Sequence, residues 1–401
     1  MVNRLGVLLG AVLCSVMICG CSQQPEHEKV LSQEQNVQET RLLHLDELEE
    51  ASEVSERSLY KETTGYYYSL LNRAEQIWYR DIEDALPKFE GKRELSSEGL
   101  KYGLTQEDID RIFQCVLNDH PEFFYVEGYT YTTHLRENEI EKIEFTGTYS
   151  VEQEEAERRQ IQIESEAARI LEQLPAQTGE YEIIKWIYEY LIRSTEYDLT
   201  AQDNQNIYSV LIGKRSVCQG YARAVQYMLQ QAGIECILVT GTVESGEGHA
   251  WNLVNCDGRY YYVDATWGDV CYEASTVGSD FPAVSYDYLC ITTQQLLRTH
   301  TISEAFPVPY CDSMEANYYV REGAYFTTVD KEQIQAVFAA AEAAGYEAVT
   351  LKCAGEAVYR ELVELLVGQQ EIFDYMECDT GEIAYAENEE QLSVTFWVTN
   401  K

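Results

Sequence analysis

The chain has 401 residues, which is enough for two or three domains, and its 45% apolar content is sufficient to build their cores. A formal net charge of −40 argues against nucleic acid as a partner, because binding it requires cations that neutralise phosphates. The same charge argues against a polybasic attachment to a membrane surface.

The first twenty residues predict export. Arg4 precedes an apolar run from Leu5 to about Gly20, which is short for a membrane span and typical of a signal-peptide core. The run ends in Gly20-Cys21, and a small residue directly before a cysteine looks like a bacterial lipobox. We therefore expect residues 1–20 to be a signal peptide and Cys21 to carry acyl chains that hold the protein on the outer face of the cytoplasmic membrane. The alternative is an ordinary cleaved signal that leaves a free cysteine.

Export determines how many cysteines remain in the mature protein. Cleavage removes Cys14 and Cys19, and lipidation uses Cys21, so nine of the 12 cysteines remain. An odd number in an exported protein predicts at least one free thiol, while the sequence cannot give the pairing of the others. No C-x-x-C pair occurs in the sequence, so a zinc site has no support, and we expect neither a metal nor a cofactor.

The N-terminal part predicts a tether and a small domain. Residues 21–57 are rich in Gln and Glu and poor in aromatics, which is typical of a disordered acidic tether. A small α+β domain is expected over 58–150. In it, Thr105 is predicted to cap a helix, and the segments FFYVEGYTYTT and IEKIEFTGTYS are predicted to be two strands joined by a polar turn.

The segment 151–312 is predicted to be the central domain. It begins with a helix whose apolar residues recur at helical spacing and which Pro175 ends. A second helix is expected from about Glu180 to Arg193, and a helix and a run of strands follow to about Tyr288.

The segment 313–401 predicts a small α/β domain with the order β-α-β-α-β. YYVREGAYFTT is expected to be its first strand. Asp330 and Gln333 form a capping-box pattern for the helix that follows, which Gly345 ends. Because this segment contains no histidine, we expect no catalysis there.

Cys218 lies in SVCQGYARAV, at the start of a predicted helix. Ser216 is expected to be its N-cap, with Gln219 completing a capping box, and Gly233 is expected to end it. The positive end of a helix favours a thiolate in its first turn. The backbone N–H of Cys218 could also stabilise an oxyanion.

Among six histidines, His249 is the one in a strand-like context. The strands GHAWNLVN and GRYYYVDATW flank the turn signal Asp257-Gly258. With these two as the turn residues, Asp264 lies opposite Trp251, and with a shift of two it lies opposite His249. In both registers the period of two places His249 and Asp264 on the same face, within reach of a hydrogen bond. Such a carboxylate would fix the orientation and tautomer of the imidazole.

The motifs VCQGYA, GHAWN and VDATWGD together resemble the transglutaminase-like superfamily, specifically its bacterial secreted members, from about Glu180 to His300. The resemblance implies an α+β fold with a papain-like core, in which a helix bearing the nucleophile packs on an antiparallel sheet. It also implies that Cys218 is the nucleophile, His249 the general base and acid, and Asp264 the orienting carboxylate.

The resemblance also bears on three further residues. Tyr208 and Tyr197 are candidates for a second oxyanion donor, because both precede the cysteine block and carry phenol O–H groups. His300 matches a histidine often found after the core in this family, and we expect it to make a cap or turn contact rather than to take part in catalysis.

A Cys-His-Asp triad implies attack on an amide or peptide carbonyl with formation of a thioester. If water resolves the thioester, the protein is a peptidase or amidase, and if an amine does, it is a protein-glutamine transglutaminase. The three residues serve both outcomes, and the assignments of bacterial family members favour hydrolysis. A non-catalytic binding or scaffold lipoprotein is the third alternative. The expected substrate is a protein or peptide, with cell-wall peptides as one class.

Overall fold

The computed structural model describes residues 65–137, 139–174, 178–269, 283–346, 348–376 and 383–398. The predicted signal peptide, lipidated Cys21, acidic tether and Pro175 lie outside the described residues. The architecture is mixed helix and sheet, which confirms the predicted fold class. Within the described ranges, none of the helices has both the length and the apolar content that a membrane span requires.

The N-terminal region contains four helices and a three-stranded antiparallel sheet of order β1-β3-β2. Its elements are α1 (Tyr66–Ser69), α2 (Arg73–Ala85), β1 (Arg93–Glu94), α3 (Ser97–Lys101), α4 (Asp108–Asp119), β2 (Val126–Arg136) and β3 (Glu139–Tyr149). The two predicted strands are confirmed as β2 and β3.

The helix that Thr105 was predicted to cap begins at Asp108, and Glu107 occupies its N-cap position. The N–H of Thr105 donates to Asp108 Oδ2 at 2.8 Å, and its hydroxyl accepts from Glu107 N at 3.2 Å. These two bonds close a turn before the helix instead of capping its first turn.

The central helices follow. They are α5 (Gln153–Leu171), α6 (Glu180–Ser194) and α7 (Cys218–Gln231), with the short parallel pair β4 (Glu196–Tyr197) and β5 (Arg215–Ser216) between α6 and α7. The predicted helices α5 and α6 are confirmed, and Ile163, Ala167 and Ile170 on α5 are buried. Together with α7 they form one side of a hydrophobic core.

The central sheet consists of β6 (Cys236–Val243), β7 (Gly248–Cys256), β8 (Arg259–Val263) and β9 (His300–Ile302), with α8 (Ala265–Gly268) and α9 (Thr293–Leu296) between β8 and β9. All neighbours in the order β8-β7-β6-β9 are antiparallel. Alternating residues of β7 face opposite cores. Val254 and Cys256 pack with the helices α5 to α7, whereas Trp251 and Leu253 pack with the N-terminal region.

The N-terminal region also holds α7 through hydrogen bonds. Arg223 Nη1 donates to Leu117 O and Gln226 Nε2 donates to Asn118 O, both at 2.7 Å. Both acceptors are carbonyls in the last turn of α4, where unpaired carbonyls and the helix dipole favour donors and cations. The N-terminal region is therefore packed into the same fold as the central sheet and the Cys218 helix.

The C-terminal region forms a four-stranded sheet of order β10-β11-β13-β12. Its elements are α10 (Tyr318–Arg321), β10 (Tyr325–Phe326), α11 (Lys331–Ala344), β11 (Ala348–Cys353), α12 (Glu356–Val363), β12 (Ile383–Asn388) and β13 (Ser393–Val398). The prediction missed β12, whose sequence IAYAEN contains two alanines, Glu387 and Asn388, all residue types that are depleted in strands.

The start of YYVREGAYFTT is helical rather than extended. The Asn317 side chain caps α10 by accepting from Tyr319 N, and Gly323, at a φ of 72°, turns the chain before the short strand β10. Asp330 caps α11 as predicted. Gln333 does not complete a capping box, because its amide donates to the carbonyls of Gly323 and Tyr325.

Candidate active site

Cys218 is the first residue of α7, as predicted, and its side chain is buried. The predicted capping box is wrong. Val217 occupies the N-cap position and makes no side-chain cap. Ser216 is instead the last residue of β5, and its hydroxyl donates to Asn204 O at 2.7 Å and contacts Ser209 Oγ at 2.8 Å. The serine therefore anchors the loop before the helix.

Gly220 explains how the first turn of α7 fits against that loop. A Cβ at this position would lie 2.0 Å from Ser216 Oγ and 3.1 Å from Asn204 O. The glycine thus allows the first turn of the helix to approach the loop backbone closely.

The hairpin has the register predicted from its turn. Cys256 pairs with Arg259, and Asp257 and Gly258 between them have φ of 52° and 79°, as a two-residue turn with positive φ at both positions requires. Asp264 follows the end of β8 on the same face as His249. His249 Nε2 and Asp264 Oδ2 are 2.7 Å apart, and both side chains are buried.

Both carboxylate oxygens of Asp264 are held. Oδ1 accepts from the N–H groups of Thr266 and Trp267 at 2.9 and 3.1 Å and so caps α8, while Oδ2 contacts the imidazole. Burial alone would raise the pKa of this carboxyl, but the electrostatic attraction and hydrogen bonds of His249 and His300 outweigh burial and hold the pKa well below its usual range. Asp264 is therefore ionised at neutral pH.

His300 is a second partner of the same carboxylate, which the sequence prediction missed. Its Nε2 lies 3.1 Å from Asp264 Oδ2, and its Nδ1 lies 2.8 Å from Thr299 Oγ1. The expected cap or turn contact is wrong, because β9 pairs with β6 and brings this histidine over the site. The contact spans 36 residues of sequence, so local pattern could not reveal it.

Aromatic rings pack around the two imidazoles. The Trp251 ring lies 5.8 Å from the His249 ring and 5.0 Å from the His300 ring, and Trp267 lies 6.2 and 4.8 Å from the same two rings. Gly241 makes room for them, since a Cβ there would lie 2.7 Å from the Trp251 ring and 2.0 Å from Thr301 O. The ring packing excludes water from the His–Asp pair and so strengthens its electrostatics.

Three contacts tie together the segments that carry Cys218, His249 and Asp264. One turn after Cys218, Ala222 packs in a buried cluster with Ala250, the residue after His249. Asn252 Nδ2 donates to Ala222 O at 2.9 Å and so joins β7 to α7. Tyr221 on α7 donates to Asp269 Oδ2 at 2.8 Å, directly after α8. The helix start, the strand start and the carboxylate are therefore parts of one packed unit.

The two tyrosines predicted as oxyanion donors occupy different positions in the packing. Tyr208 donates to Gln162 Oε1 on α5 at 3.2 Å, and Arg159 lies 4.6 Å over its ring, so its hydroxyl is engaged on the α5 side of the core. Tyr197 lies in β4, with its ring 6.4 Å from that of Tyr221. Their role in the reaction stays a prediction.

The donor atoms of His249, Asp264 and His300 lie within 4.8 Å of one another, a spacing that a metal ion could also use. The two imidazole contacts to Asp264 Oδ2 account for this spacing by hydrogen bonding alone.

Residues 168–265 match the sequence profile of the transglutaminase-like superfamily. These residues form a transglutaminase-like core. The match runs from the end of α5 to the start of α8 and includes Cys218, His249 and Asp264. It lies within the predicted central domain, 151–312, and the domain boundaries themselves stay predictions.

Curated relatives share this core. The chain is 28% identical over 145 residues to the kyphoscoliosis peptidase of Mus musculus and 29% identical over 142 residues to that of Homo sapiens. These alignments cover 32% and 31% of this chain but only 21% of each relative, so the chain spans about a fifth of their length.

The solved structures that match part of the chain include a TGase, at 16% identity and a TM-score of 0.25, covering 31% of this chain and 41% of that one. A candidate cysteine protease from Cytophaga hutchinsonii has 13% identity and a TM-score of 0.24, covering 31% and 53% of the two chains. A candidate protease from Parabacteroides distasonis has 15% identity and a TM-score of 0.23, covering 33% and 29%.

Burial shifts the pKa values of the other described thiols. Every described cysteine is free and buried, namely Cys115, Cys218, Cys236, Cys256, Cys290, Cys311 and Cys353. Burial raises the pKa of Cys115, Cys256, Cys311 and Cys353 to about 12 and places the pKa values of Cys236 and Cys290 well above the ordinary value. A raised pKa keeps these six in the thiol form at neutral pH, whereas the thiolate is the reactive form.

We therefore expect iodoacetamide to alkylate Cys218 of the transglutaminase-like core first, by at least about tenfold in rate over those six thiols at pH 7. Peptide mapping by mass spectrometry after short exposures measures the rate at each cysteine. Cys271 and Cys378 lie outside the described residues, so the experiment is repeated with both replaced by serine. Alkylation of Cys218 and of the six other described thiols at equal rates would contradict the expectation.

Proposed function

We propose that the protein is a thiol enzyme that cleaves amide or peptide bonds through Cys218, His249 and Asp264. The observation that carries the proposal is the buried 2.7 Å contact between His249 Nε2 and Asp264 Oδ2, in a core whose nucleophile candidate begins the adjacent helix. An imidazole held by a buried carboxylate, on a strand that packs against the helix whose first residue is a cysteine, supports nucleophilic catalysis by that thiol.

The tautomer of His249 follows from the charge of its partner. Because the pKa of Asp264 is low, its Oδ2 is a hydrogen-bond acceptor, and Nε2 of His249 carries the proton that it donates. Nδ1 is then the unprotonated nitrogen. It can take the Cys218 proton as general base, and Asp264 stabilises the imidazolium that results.

The reaction proceeds in two halves. The Sγ–H proton passes to His249 Nδ1, Sγ bonds to the substrate carbonyl carbon, and the C–N bond breaks as the imidazolium returns its proton to the leaving amine. The product of this half is a thioester on Cys218. In the second half a nucleophile activated by the same imidazole attacks the thioester and restores the thiol.

Water is the nucleophile that we propose for the second half, which makes the protein a cysteine peptidase or amidase. The support is the similarity of the core to two proteins named as peptidases. An amine in place of water would give protein-glutamine transglutaminase activity through the same residues.

Product analysis in H₂¹⁸O separates these two outcomes. The protein is incubated with a peptide library and a labelled primary amine, with Cys218→Ala as the matched control. We expect new carboxyl groups that carry one ¹⁸O and are absent with the variant. Incorporation of the amine, with no ¹⁸O-labelled carboxylate, would replace the peptidase proposal by transglutaminase activity.

The proposed location is the outer face of the cytoplasmic membrane, with an acyl chain on Cys21. The support is the apolar leader that ends in Gly20-Cys21. Metabolic labelling with a palmitate analogue that persists in Cys21→Ser cells would reject this anchor.

A further inference from the structure

A line of buried polar side chains connects the C-terminal sheet to Asp264. Its members, in order, are Lys352, Gln391, Tyr288, Thr299 and His300. Each has at most 4% of its surface exposed. Polar groups buried to this degree are hydrogen-bonded. Because each atom type can act only as a donor, only as an acceptor or as both, the direction of each bond in the line can be worked out.

The lysine fixes the orientation of the Gln391 amide. Lys352 Nζ donates to Asp287 Oδ1 at 2.9 Å and to Gln391 Oε1 at 3.3 Å. With its oxygen occupied by this cation, the Gln391 amide turns its nitrogen toward Tyr288 Oη at 3.4 Å and Gln295 O at 3.3 Å. An amide nitrogen only donates, so Tyr288 Oη is the acceptor in its contact.

The same reasoning gives the donor and the acceptor of each remaining hydrogen bond up to the Asp264 carboxylate. With its oxygen accepting from Gln391, the Tyr288 hydroxyl donates to Thr299 Oγ1 at 3.3 Å. The Thr299 hydroxyl donates to His300 Nδ1 at 2.8 Å, which is shorter than its 3.5 Å contact with Leu296 O. His300 Nδ1 is therefore unprotonated, and Nε2 carries the hydrogen that points at Asp264 Oδ2, 3.1 Å away.

We propose that His300 is a positioning residue, which fixes the Asp264 carboxylate by a second hydrogen bond to the oxygen that also holds His249. The C-terminal region sets the tautomer of His300 through Lys352, Gln391 and Tyr288. The catalytic consequence rests on the function proposed above, whereas the tautomer and its origin do not.

The hydrogen bond from His300 matters because it fixes the geometry of the Asp264 carboxylate. Oδ1 is held by the backbone of α8, and Oδ2 accepts two N–H groups, so the plane of the carboxylate is fixed from three sides. A carboxylate held in this way keeps the His249 ring in one orientation relative to Cys218. Misplacement of a reacting group by about 1 Å can lower a rate by about 10²-fold.

The tautomer is tested by ¹⁵N NMR of the whole chain with labelled histidine. We expect the His300 signals of a neutral ring protonated at Nε2, and we expect Tyr288→Phe, which removes the hydroxyl in the middle of the line, to populate the Nδ1–H form as well. A wild-type His300 ring protonated at Nδ1 would overturn the proposal that the line of hydrogen bonds sets its tautomer. The same tautomer in Tyr288→Phe as in wild type would also overturn it. This readout does not depend on turnover.

The positioning role is tested by two replacements of His300. Leu removes the donor to Asp264, and we expect kcat to fall by about 10²-fold with KM nearly unchanged. Gln offers an amide N–H at a similar reach, and we expect it to restore kcat to within about tenfold of wild type. His134→Gln, on the strand β2 of the N-terminal sheet, is the matched control.

Equal kcat values for wild type and His300→Leu, or for His300→Leu and His300→Gln, would overturn the positioning role. If His300→Leu does not fold, the wild-type tautomer and Tyr288→Phe decide the proposal. If wild type itself shows no turnover, the function proposed above fails, and the NMR result still stands or falls on its own.

Discussion

Replacing Cys218 by Ala is expected to lower kcat/KM for peptide or amide substrates by on the order of 10⁶-fold, the scale seen when a serine protease loses its nucleophile. The thiol supplies the bond to the substrate carbonyl, and no other described thiol can replace it, since the remaining six are buried with raised pKa values. The measurement is initial rates with the peptides that the library identifies.

The control for this variant is Cys115→Ala, because Cys115 is a buried thiol of the N-terminal core. We expect its kcat/KM to stay within about threefold of wild type and its stability to fall by about 1 kcal/mol. If Cys218→Ala instead keeps the rate and the biological phenotype of wild type while it remains folded, the protein acts as a binding lipoprotein and the proposed chemistry is wrong.

Asp264→Asn is expected to lower kcat by about 10⁴-fold, with the fold intact. The amide keeps an oxygen that can accept the N–H groups of Thr266 and Trp267 and so preserves the cap of α8. Its nitrogen would then face His249 Nε2 as a donor. The imidazole would have to carry its proton on Nδ1, where it could no longer take the proton of the thiol.

Steady-state kinetics and a thermal unfolding curve measured on the same preparation check this result. A loss of activity that only follows a loss of folded protein would assign Asp264 a structural role through α8 alone.

The ionised state of Asp264 also affects how the stability of the protein depends on pH. Because its pKa is lower in the folded chain than unfolded, the stability it contributes is present above its unfolded value of about 3.9 and is lost as pH falls through the folded value.

The relation between His249 and Asp264 could be read from the sequence because it depends on local rules. Asp257-Gly258 sets the turn, the turn sets the register, and a strand period of two sets the face. Each step involves residues that are neighbours in the chain. The helix that Cys218 begins was predictable for the same reason.

The failures have a different physical origin. Ser216 matches a capping box, yet it lies in β5, which pairs with β4, and its hydroxyl bonds to Asn204 and Ser209 instead of the N–H groups of the helix. His300 reaches Asp264 only after β9 has paired with β6. Both depend on contacts between distant segments, which compete with local preferences and carry no periodic signal.

The dependence on distant segments extends to the C-terminal region. From the sequence we expect no catalysis there, because it contains no histidine. The structure adds Lys352, a buried cation paired with Asp287 and bonded to Gln391. The sequence of β11 taken alone, AVTLKC, does not indicate that Lys352 is buried.

The most direct test of the central claim is capture of the acyl-enzyme. The protein is mixed with an activated p-nitrophenyl ester, quenched in acid and mapped by mass spectrometry, before and after neutral hydroxylamine, which cleaves thioesters. We predict one acyl group on the peptide that contains Cys218, removed by hydroxylamine and absent from Cys218→Ala. Release of p-nitrophenol at equal rates by wild type and Cys218→Ala, with no acyl group on that peptide, would contradict the account.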